Sequence, residues 1–568
     1  MDAPWTRFYE EGVPASIEYP EWSLPDLLDH SASTFPDQTA LTFFVDPKLP
    51  PSHMSYRALR DATLRFATAL HQLGVRKGDR VAIMLPNCPE FPVAFFGLLR
   101  LGAVAVNTNP LYVPRELKSQ LEDSGAETII LLDQFFPRLR EIRHLTRVKR
   151  VIVTDVAGSI RFPFRQLVHL VQRKHGEYVR VKPEADVFSL KQLVAKHPPS
   201  PPRVEIAPDD VALFQYTGGT TGTPKAAMLS HRNLVANTLQ LRAWFVKAED
   251  GKEVVMAAIP FFHVYGMTVC MIFGLAAGAN VVMVPRPKPI EGVMKVIQKT
   301  RASIFPGVPT LYTAINHHPN VKQYALGSVK LCLSGAAPLP MEVAETFERI
   351  TGGRLVEGYG MTESSPVATA NPLFGKRKVG SIGLPVPDTD AKIVHLETGA
   401  TLPPGEEGEL AVKGPQVMLG YWNRPDETAQ TIRDGWLHTG DVAKVDDEGY
   451  ISIVDRKKDM IAASGLKVLP REVEEVLFMH PMVKEAVVAG VPDSYRGETV
   501  KGYVVLKDGA SLSADELIRF CRIHLAAFKV PTSIEFRDDL PKSMIGKVLR
   551  RVLVEEEAAK AAGKVPKA

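Results

Sequence analysis

Apolar positions in the first 150 residues alternate between two periods. Leu59, Ala62, Phe66, Ala67, Leu70 and Leu73 recur at helical spacing, and Gly74 stands where such a helix would stop. Gly78-Asp79-Arg80 then leads into the unbroken apolar run Val81 to Leu85, which predicts a buried strand; Phe91 to Leu101 predicts a second helix and Ala103 to Val106 a second strand. This alternation points to an α/β architecture with a largely parallel sheet. It holds no charged cluster of the kind that chemistry would need, so it reads as scaffold. From about Asp459 the pattern changes to a compact α+β unit. REVEEVLFMHP predicts a helix, EAVVAGV and VKGYVVL strands, and SADELIRFCRIHL a helix opened by Ser513 or Asp515. The tail VEEEAAKAAGKVPKA is expected to fray.

Two apolar stretches carry a choice. Val254 to Pro285 lacks charge, and Val264 to Val284 is long enough to cross a bilayer, but His263, Gly266, Gly274, Gly278 and Asn280 interrupt it. A buried helix, a Gly/Asn turn and a core strand at Val281 to Val284 explain it better. In residues 160 to 182, six basic residues (Arg161, Arg165, Arg173, Lys174, Arg180 and Lys182) stand against the single Glu177. They interleave with Phe162, Phe164, Leu167, Val168, Leu170 and Val171, which suits a basic amphipathic helix on a membrane surface. The alternative, a surface helix packing its apolar face on its own domain, is favoured because an apolar stripe most often faces a core. HPPSPP, His197 to Pro202, reads as a linker.

Composition narrows the class. At 568 residues the chain needs roughly three to four packing units. A net charge of +4, from 68 basic and 64 acidic residues, gives no argument for nucleic acid. Cys88, Cys270, Cys332 and Cys521 lie far apart with no CxxC pair, which suits a reducing compartment and no zinc site. MDAPWTRFYEEG has neither a basic n-region nor an apolar h-region, so no secretory signal is expected.

The chemistry centres on Tyr216 to Ala227, YTGGTTGTPKAA, set between the strand-like run Val211 to Phe214 and a second short strand at Ala226 to Leu229, before a helix opened by Ser230. Glycines bring backbone N–H groups close to anionic oxygens, threonine hydroxyls add short donors, and Lys225 adds a mobile cation: a phosphate cradle, though not of the Walker A spacing. A Gly/Thr-rich hairpin turn needing no ligand is the plainer alternative. Further along, PFFHVYGM (Pro260 to Met267) sets one His among aromatics, which read alone is a core histidine, and SGAAPLP (Ser334 to Pro340) offers backbone that can lie against a flat ring. EGYGMTESSP (Glu357 to Pro366) puts Tyr359, Thr362 and Glu363 within five positions, and a carboxylate near a phosphate loop is a natural Mg2+ ligand. WLHTGD ends in Asp441, an acceptor for ribose hydroxyls. There is no GxSxG elbow and no Cys in a catalytic loop, so no acylated side chain is expected.

Taken in order, YTGGTTGTPKAA, PFFHVYG, SGAAPLP, EGYGMTE, VKGPQVMLGYW, GWLHTGD, DRKKDMI, SGLKVLPREVE and PKSMIGKVLRR resemble the adenylate-forming superfamily over roughly residues 20 to 553. The likeness is greatest to bacterial long-chain fatty acid CoA ligases. The resemblance implies an α/β protein with a large N-terminal adenylate-forming domain of mixed sheets and helices (1–455) and a small mobile α+β C-terminal lid (456–568), hinged near Lys458. It implies that Thr217, Gly218, Gly219, Thr220, Thr221, Gly222 and Lys225 hold the β- and γ-phosphates. Gly335, Ala336, Gly358 and Tyr359 would line the adenine slot, Thr362 would touch the α-phosphate, Glu363 would hold Mg2+, and Asp441 and Arg456 would clasp the ribose. His263 would sit between the carboxylate and the acyl tunnel, Lys547 would bridge carboxylate and α-phosphate, and Gly465 would let the pantetheine arm pass. SGAAPLP departs from the pattern, with Ala336-Ala337 where many relatives carry Gly-Gly.

The implied reaction joins a fatty acid to coenzyme A with ATP through an acyl-adenylate, releasing AMP and pyrophosphate. Loading of a separate carrier protein, or ligation of aryl or medium-chain acids, are the alternatives; no carrier-protein domain is expected after Lys547. The expected location is cytoplasmic. Peripheral contact with the inner face of the membrane and a homodimer stay open at this level.

Overall fold

The computed structural model describes residues 4–160, 164–174, 178–182, 184–217, 224–456, 459–463, 466–493, 497–543 and 548–561. The chain forms two compact units. The first comprises Met1–Val379, Gly383–Asp390 and Lys413–Leu437, the second Gly380–Ile382, Ala391–Val412 and His438–Ala568. The expected division after Asp455 falls inside the second unit.

The first unit is built on an eight-stranded sheet. Its strands are β1 (Arg80–Met84), β2 (Val104–Asn107), β3 (Thr128–Leu132), β4 (Arg150–Thr154), β5 (Val187–Ser189), β6 (Val211–Thr217), β7 (Lys225–Ser230) and β8 (Gly420–Tyr421), in the order β8-β7-β6-β2-β1-β3-β4-β5. From β6 to β5 every pair is parallel, while β7 and β8 close the other edge antiparallel. The parallel strands are apolar runs because helices cover both faces. Residues 81–84 of β1 and all of β2 and β3 are buried. The chain leaves β1 for β2 on one side and reaches β3 on the other, and in such sheets ligands bind beyond the carboxyl ends of strands near the reversal. The phosphate loop leaves the carboxyl end of β6.

Val254 to Pro285 folds as a strand (Val254–Ala257), a buried π-helical turn (Gly266–Ile272) running into a short α-helix (Phe273–Ala276), a turn, and a strand (Asn280–Met283). Among the described residues no helix is long and apolar enough to cross a membrane. The basic stretch gives α1 (Phe164–Lys174), the crossover from β4 to the parallel β5. Its apolar stripe does not pack wholly on its own domain, as the pattern favoured: Phe164 and Val168 are half-buried, Leu167, Leu170 and Val171 are exposed, and none of its residues is fully buried. Arg165 (3.2 Å) and His169 (3.7 Å) reach Asp155 at the end of β4, so the half-buried side of α1 mixes these two polar groups and Gln172 with Phe164 and Val168. After β7 comes α2 (His231–Trp244), where Ser230 and Asn233 cap each other reciprocally.

In the second unit, β9 (Trp436–Val445) pairs antiparallel with β10 (Ile451–Arg456), and β11 (Val483–Asp493) with β12 (Gly497–Leu506). Ser513 is the residue that caps the Ala514–His524 helix. Of the tail expected to fray, residues 554–561 instead continue a helix that ends at Ala561, with Leu553 buried and Glu556 and Glu557 ion-paired to Arg537 (2.6 Å) and Lys501 (2.9 Å), and residues 562–568 lie outside the described residues.

Candidate active site

Three separate motifs meet around one cavity in the first unit, lined by His263, Tyr265, Gly335, Ala336, Gly358, Tyr359 and Thr362 among others. Sheet register brings two of them together. Leu331–Ser334 runs parallel to Arg354–Gly360 with Ser334 opposite Glu357, so Gly335-Ala336 and Gly358-Tyr359 leave neighbouring strands side by side. A Cβ at Gly358 would come within 2.7 Å of the Leu333 side-chain end, so a larger residue there would push on the side chain behind the flat wall. Ala336 holds φ at +70°, left-handed space that glycine takes freely, so the departure from Gly-Gly at this place carries strain.

His263 enters from the third motif on a loop fixed from below. Asn87 donates to the carbonyls of Ala257 (3.0 Å) and Ile259 (2.9 Å) and accepts from Phe261 N–H (2.8 Å), and Gln215 donates to Phe262 O (3.0 Å). Gly266 then starts the π-helical turn against the carbonyl of Pro260, where a Cβ would clash at 2.3 Å. π-helical turns recur at functional sites. Tyr265 N–H donates to His263 Nδ1 (3.2 Å), which assigns the proton of the neutral ring to Nε2. Tyr265 itself is buried, its hydroxyl donating to Leu333 O (2.7 Å) beneath Gly335. Burial pushes its pKa well up, so it serves as a neutral support.

Glu363 follows Thr362 in a short 3-10 turn and is buried. Tyr421 on β8 donates its hydroxyl to Glu363 Oε1 at 2.6 Å, and Met418 N–H donates to Glu363 O at 2.8 Å. Burial, then the adjacent carboxylate, raise the phenol's pKa and keep it a donor. Lys225, opposite Thr217 at the mouth of the β6–β7 hairpin, holds its ammonium 5.4 Å from the Tyr421 ring and 3.8 Å from Glu427. A cation, a phenol and a carboxylate are thus chained from the phosphate loop to the Glu363 turn.

Behind this line stands α2. Asn233, Asn237 and Gln240 share one face at i, i+4 and i+7, and all three are buried. Asn233 donates to the carbonyls of Pro415 and Val417, both at 2.8 Å, which sets the segment leading to Tyr421. Asn237 clamps Val367, donating to its O (2.7 Å) and accepting from its N (3.0 Å), next to the Glu363 turn. Gln240 donates to Pro387 O and accepts from Asn237.

The other sequence candidates belong to the second unit or fall outside the described residues. Asp441, buried on β9, lies opposite Arg456 on β10 in the second unit. Gly218, Gly219, Thr220, Thr221, Gly222, Lys458, Gly465 and Lys547 fall outside the described residues. Tyr421, Asn87 and the α2 amides were not among the candidates. The signal for α2 was present, as three amide side chains at helical spacing within a helix half of whose residues are apolar.

A Gly-rich loop leaving a parallel strand, a slot of bare backbone and a buried carboxylate define a nucleotide-binding enzyme of the adenylate-forming type. The family model described as AMP-binding enzyme matches residues 28–422, and the AMP-binding enzyme C-terminal domain matches residues 472–547. The chain belongs to the AMP-binding enzyme family. It is 45% identical to the long-chain-fatty-acid–CoA ligase of Bacillus subtilis (strain 168) over 98% of both chains, and 42% identical to that of Escherichia coli O6:H1 over 99% of both. The ATP-bound crystal structure of MatB from Rhodopseudomonas palustris superposes with a TM-score of 0.82 at 29% identity, covering 95% of this chain and all of that one.

Proposed function

We propose that this enzyme joins a long-chain fatty acid to coenzyme A in two steps through an acyl-adenylate. The observation that carries the reading is the convergence of His263, Gly335, Ala336, Gly358, Tyr359 and Thr362 on one cavity beside Glu363. In the first step a carboxylate oxygen attacks the α-phosphorus of ATP and the bond to pyrophosphate breaks. Attack of one anion on another needs charge neutralised and donors already aimed, more than a proton moved. Lys225 and the amides of residues 217–222 hold the leaving pyrophosphate, Thr362 the α-phosphate, and Lys547 the carboxylate and α-phosphate together. Tyr359 stacks on adenine against Gly335-Ala336, and Asp441 with Arg456 takes the ribose. His263 Nε2–H orients the acid at the entry of the acyl tunnel. In the second step the CoA sulfur attacks the acyl carbonyl, the thiol proton is lost and AMP departs.

Glu363 suits Mg2+, which takes one or two carboxylates and fills its remaining positions with phosphate oxygens and water. Among the described residues no cluster of three or more metal-binding side chains stands apart as a cage. When bound with ATP the ion neutralises phosphate charge, and Tyr421 holds the Glu363 carboxylate in place for it. Residues 456–568 act as a lid, turning near Lys458 so that Lys547 serves the first step and Gly465 passes pantetheine in the second. The enzyme works in the cytoplasm and takes its acid at the inner face of the membrane, alone or as a homodimer.

The test is pyrophosphate release from MgATP with acids from acetate to oleate, with and without CoA, on wild type and Lys547→Ala. Release that favours long acids, needs Lys547 and ends in acyl-CoA is the expected result. Adenylate that stalls with CoA would instead indicate a carrier-protein acceptor, and no release with any acid would overturn the reading.

A further inference from the structure

A crossover helix between parallel strands ordinarily buries an apolar stripe on the sheet and shows water its charges. In α1 only Phe164 and Val168 of the stripe are half-buried, and the rest of it is turned to water. Arg165 and His169, one turn apart, reach inward to Asp155, at 3.2 and 3.7 Å. Leu167 and Leu170 point away from the body of the unit, 48% and 64% exposed, and Val171 beside them is 47% exposed. Around this apolar strip stand cations: Arg173 and Lys174 at the end of α1, and Arg180 and Lys182 just beyond, all exposed. Arg173 packs its guanidinium 4.6 Å from the Tyr178 ring, which keeps the cation beside the strip.

We infer that α1 is a docking element for a bilayer containing anionic lipids, with Leu167, Leu170 and Val171 entering the boundary between headgroups and acyl chains. Arg173, Lys174, Arg180 and Lys182 lie against lipid phosphates. The charge pattern selects this partner over a second copy of the chain, because two such faces set together would oppose four cations to four. An amphipathic helix with leucines on one face and Lys/Arg around it binds such surfaces by combining buried apolar area with attraction to anionic headgroups. The inference rests on the long-chain reading above for its purpose, since a sparingly soluble acid is collected from the membrane in which it is dissolved.

Co-sedimentation with vesicles of phosphatidylglycerol in phosphatidylcholine, against phosphatidylcholine alone, tests it on the full-length protein. Wild type should pellet with the anionic vesicles, less so as salt rises, and Leu167→Glu/Leu170→Glu should lower the bound fraction about tenfold or more. Activity of that variant on a water-soluble acid without vesicles should equal the wild type's. That second assay separates failure of docking from failure of the ligase reading. The four native cysteines are buried, so Leu170→Cys can carry an environment-sensitive dye, whose emission should shift to the blue only with anionic vesicles. Equal pelleting of wild type and variant, no shift from the dye, or a wild-type dimer that the variant converts to monomer would each overturn the inference.

Discussion

Two helices of the first unit break the usual rule for an amphipathic helix, in opposite directions. α2 turns amides inward, while α1 turns leucines outward. The first arrangement is stable by itself, because the buried amides of Asn233, Asn237 and Gln240 find partners within the unit. A satisfied polar network in a low-dielectric interior is rigid and specific, which suits a helix holding the Glu363 turn and the Tyr421 segment at once. The second arrangement leaves apolar surface in water, and folding alone gains nothing by that. One helix is complete within the fold, and the other is completed from outside.

Asn237→Leu should make the sharpest break. The leucine fills the space but leaves the N–H and C=O of Val367 buried without partners, at about 1–3 kcal/mol each. We expect denaturant unfolding of the first unit to show a loss of about 3 kcal/mol, with pyrophosphate release down at least about tenfold. A variant as stable as wild type would mean that the clamp is incidental and that the contrast between the helices does not hold.

Tyr421→Phe probes the same scaffold one step closer to the chemistry. It deletes a charge-assisted hydrogen bond, about 1.5–3 kcal/mol, and leaves the ring on which Lys225 rests. Adenylate formation should slow roughly tenfold, since about 1.4 kcal/mol on the barrier is tenfold in rate. Transfer from preformed adenylate to CoA should be unchanged. A stopped assay that follows the two half-reactions separately decides the point, and equal slowing of both would remove Tyr421 from the first step.

The alternation of strands and helices in the first 150 residues was legible because it depends on local periodicity, as was the phosphate loop, whose composition is itself the mechanism. Single residues whose value lies in distant partners were not legible. Asn87 holds a loop some 170 positions away and Asn237 one 130 positions away, and neither spacing leaves a mark on the local pattern. α1 misled for a related reason. Its stripe was plain, but the direction it faces depends on Asp155, outside the helix, whose carboxylate attracts Arg165 and His169. Periodicity gives a face, and the neighbouring charge decides where that face points.

A buried histidine ties α2 to pH. His231, first in α2, is fully buried; its Nδ1 accepts from Leu24 N–H (3.1 Å) and its Nε2 has no partner. Burial lowers its pKa to about 4. Between that value and the ordinary one near 6.5 the unfolded chain binds a proton that the folded chain does not, so stability is full above about pH 6.5 and falls toward about pH 4. From about pH 7.5 to about pH 5 the loss comes to roughly 2 kcal/mol. Asp133, pushed up to about 6 by burial, acts in the opposite sense over part of this window. The quantity to measure is therefore the difference between wild type and His231→Gln, whose stability should depend less on acid. Identical pH curves would show that His231 is not held neutral by the fold.

Arg165→Ala should have the smallest effect, and its smallness is the point. The Arg165–Asp155 pair is partly exposed, 37% and 25% at the two side chains, and pairs of this kind contribute about 0–1 kcal/mol after screening by solvent and salt. Chemical unfolding should move by no more than about 0.5 kcal/mol. α1 lies on the first unit without supporting it, so removing one of its tethers alters the helix's attachment far more than the stability of the sheet beneath. Hydrogen exchange can separate the two: amides of α1 should exchange faster in the variant while those of β3 and β4 keep their protection. A global loss like that of Asn237→Leu would mean that α1 is part of the core after all, and its outward leucines would then need a different explanation.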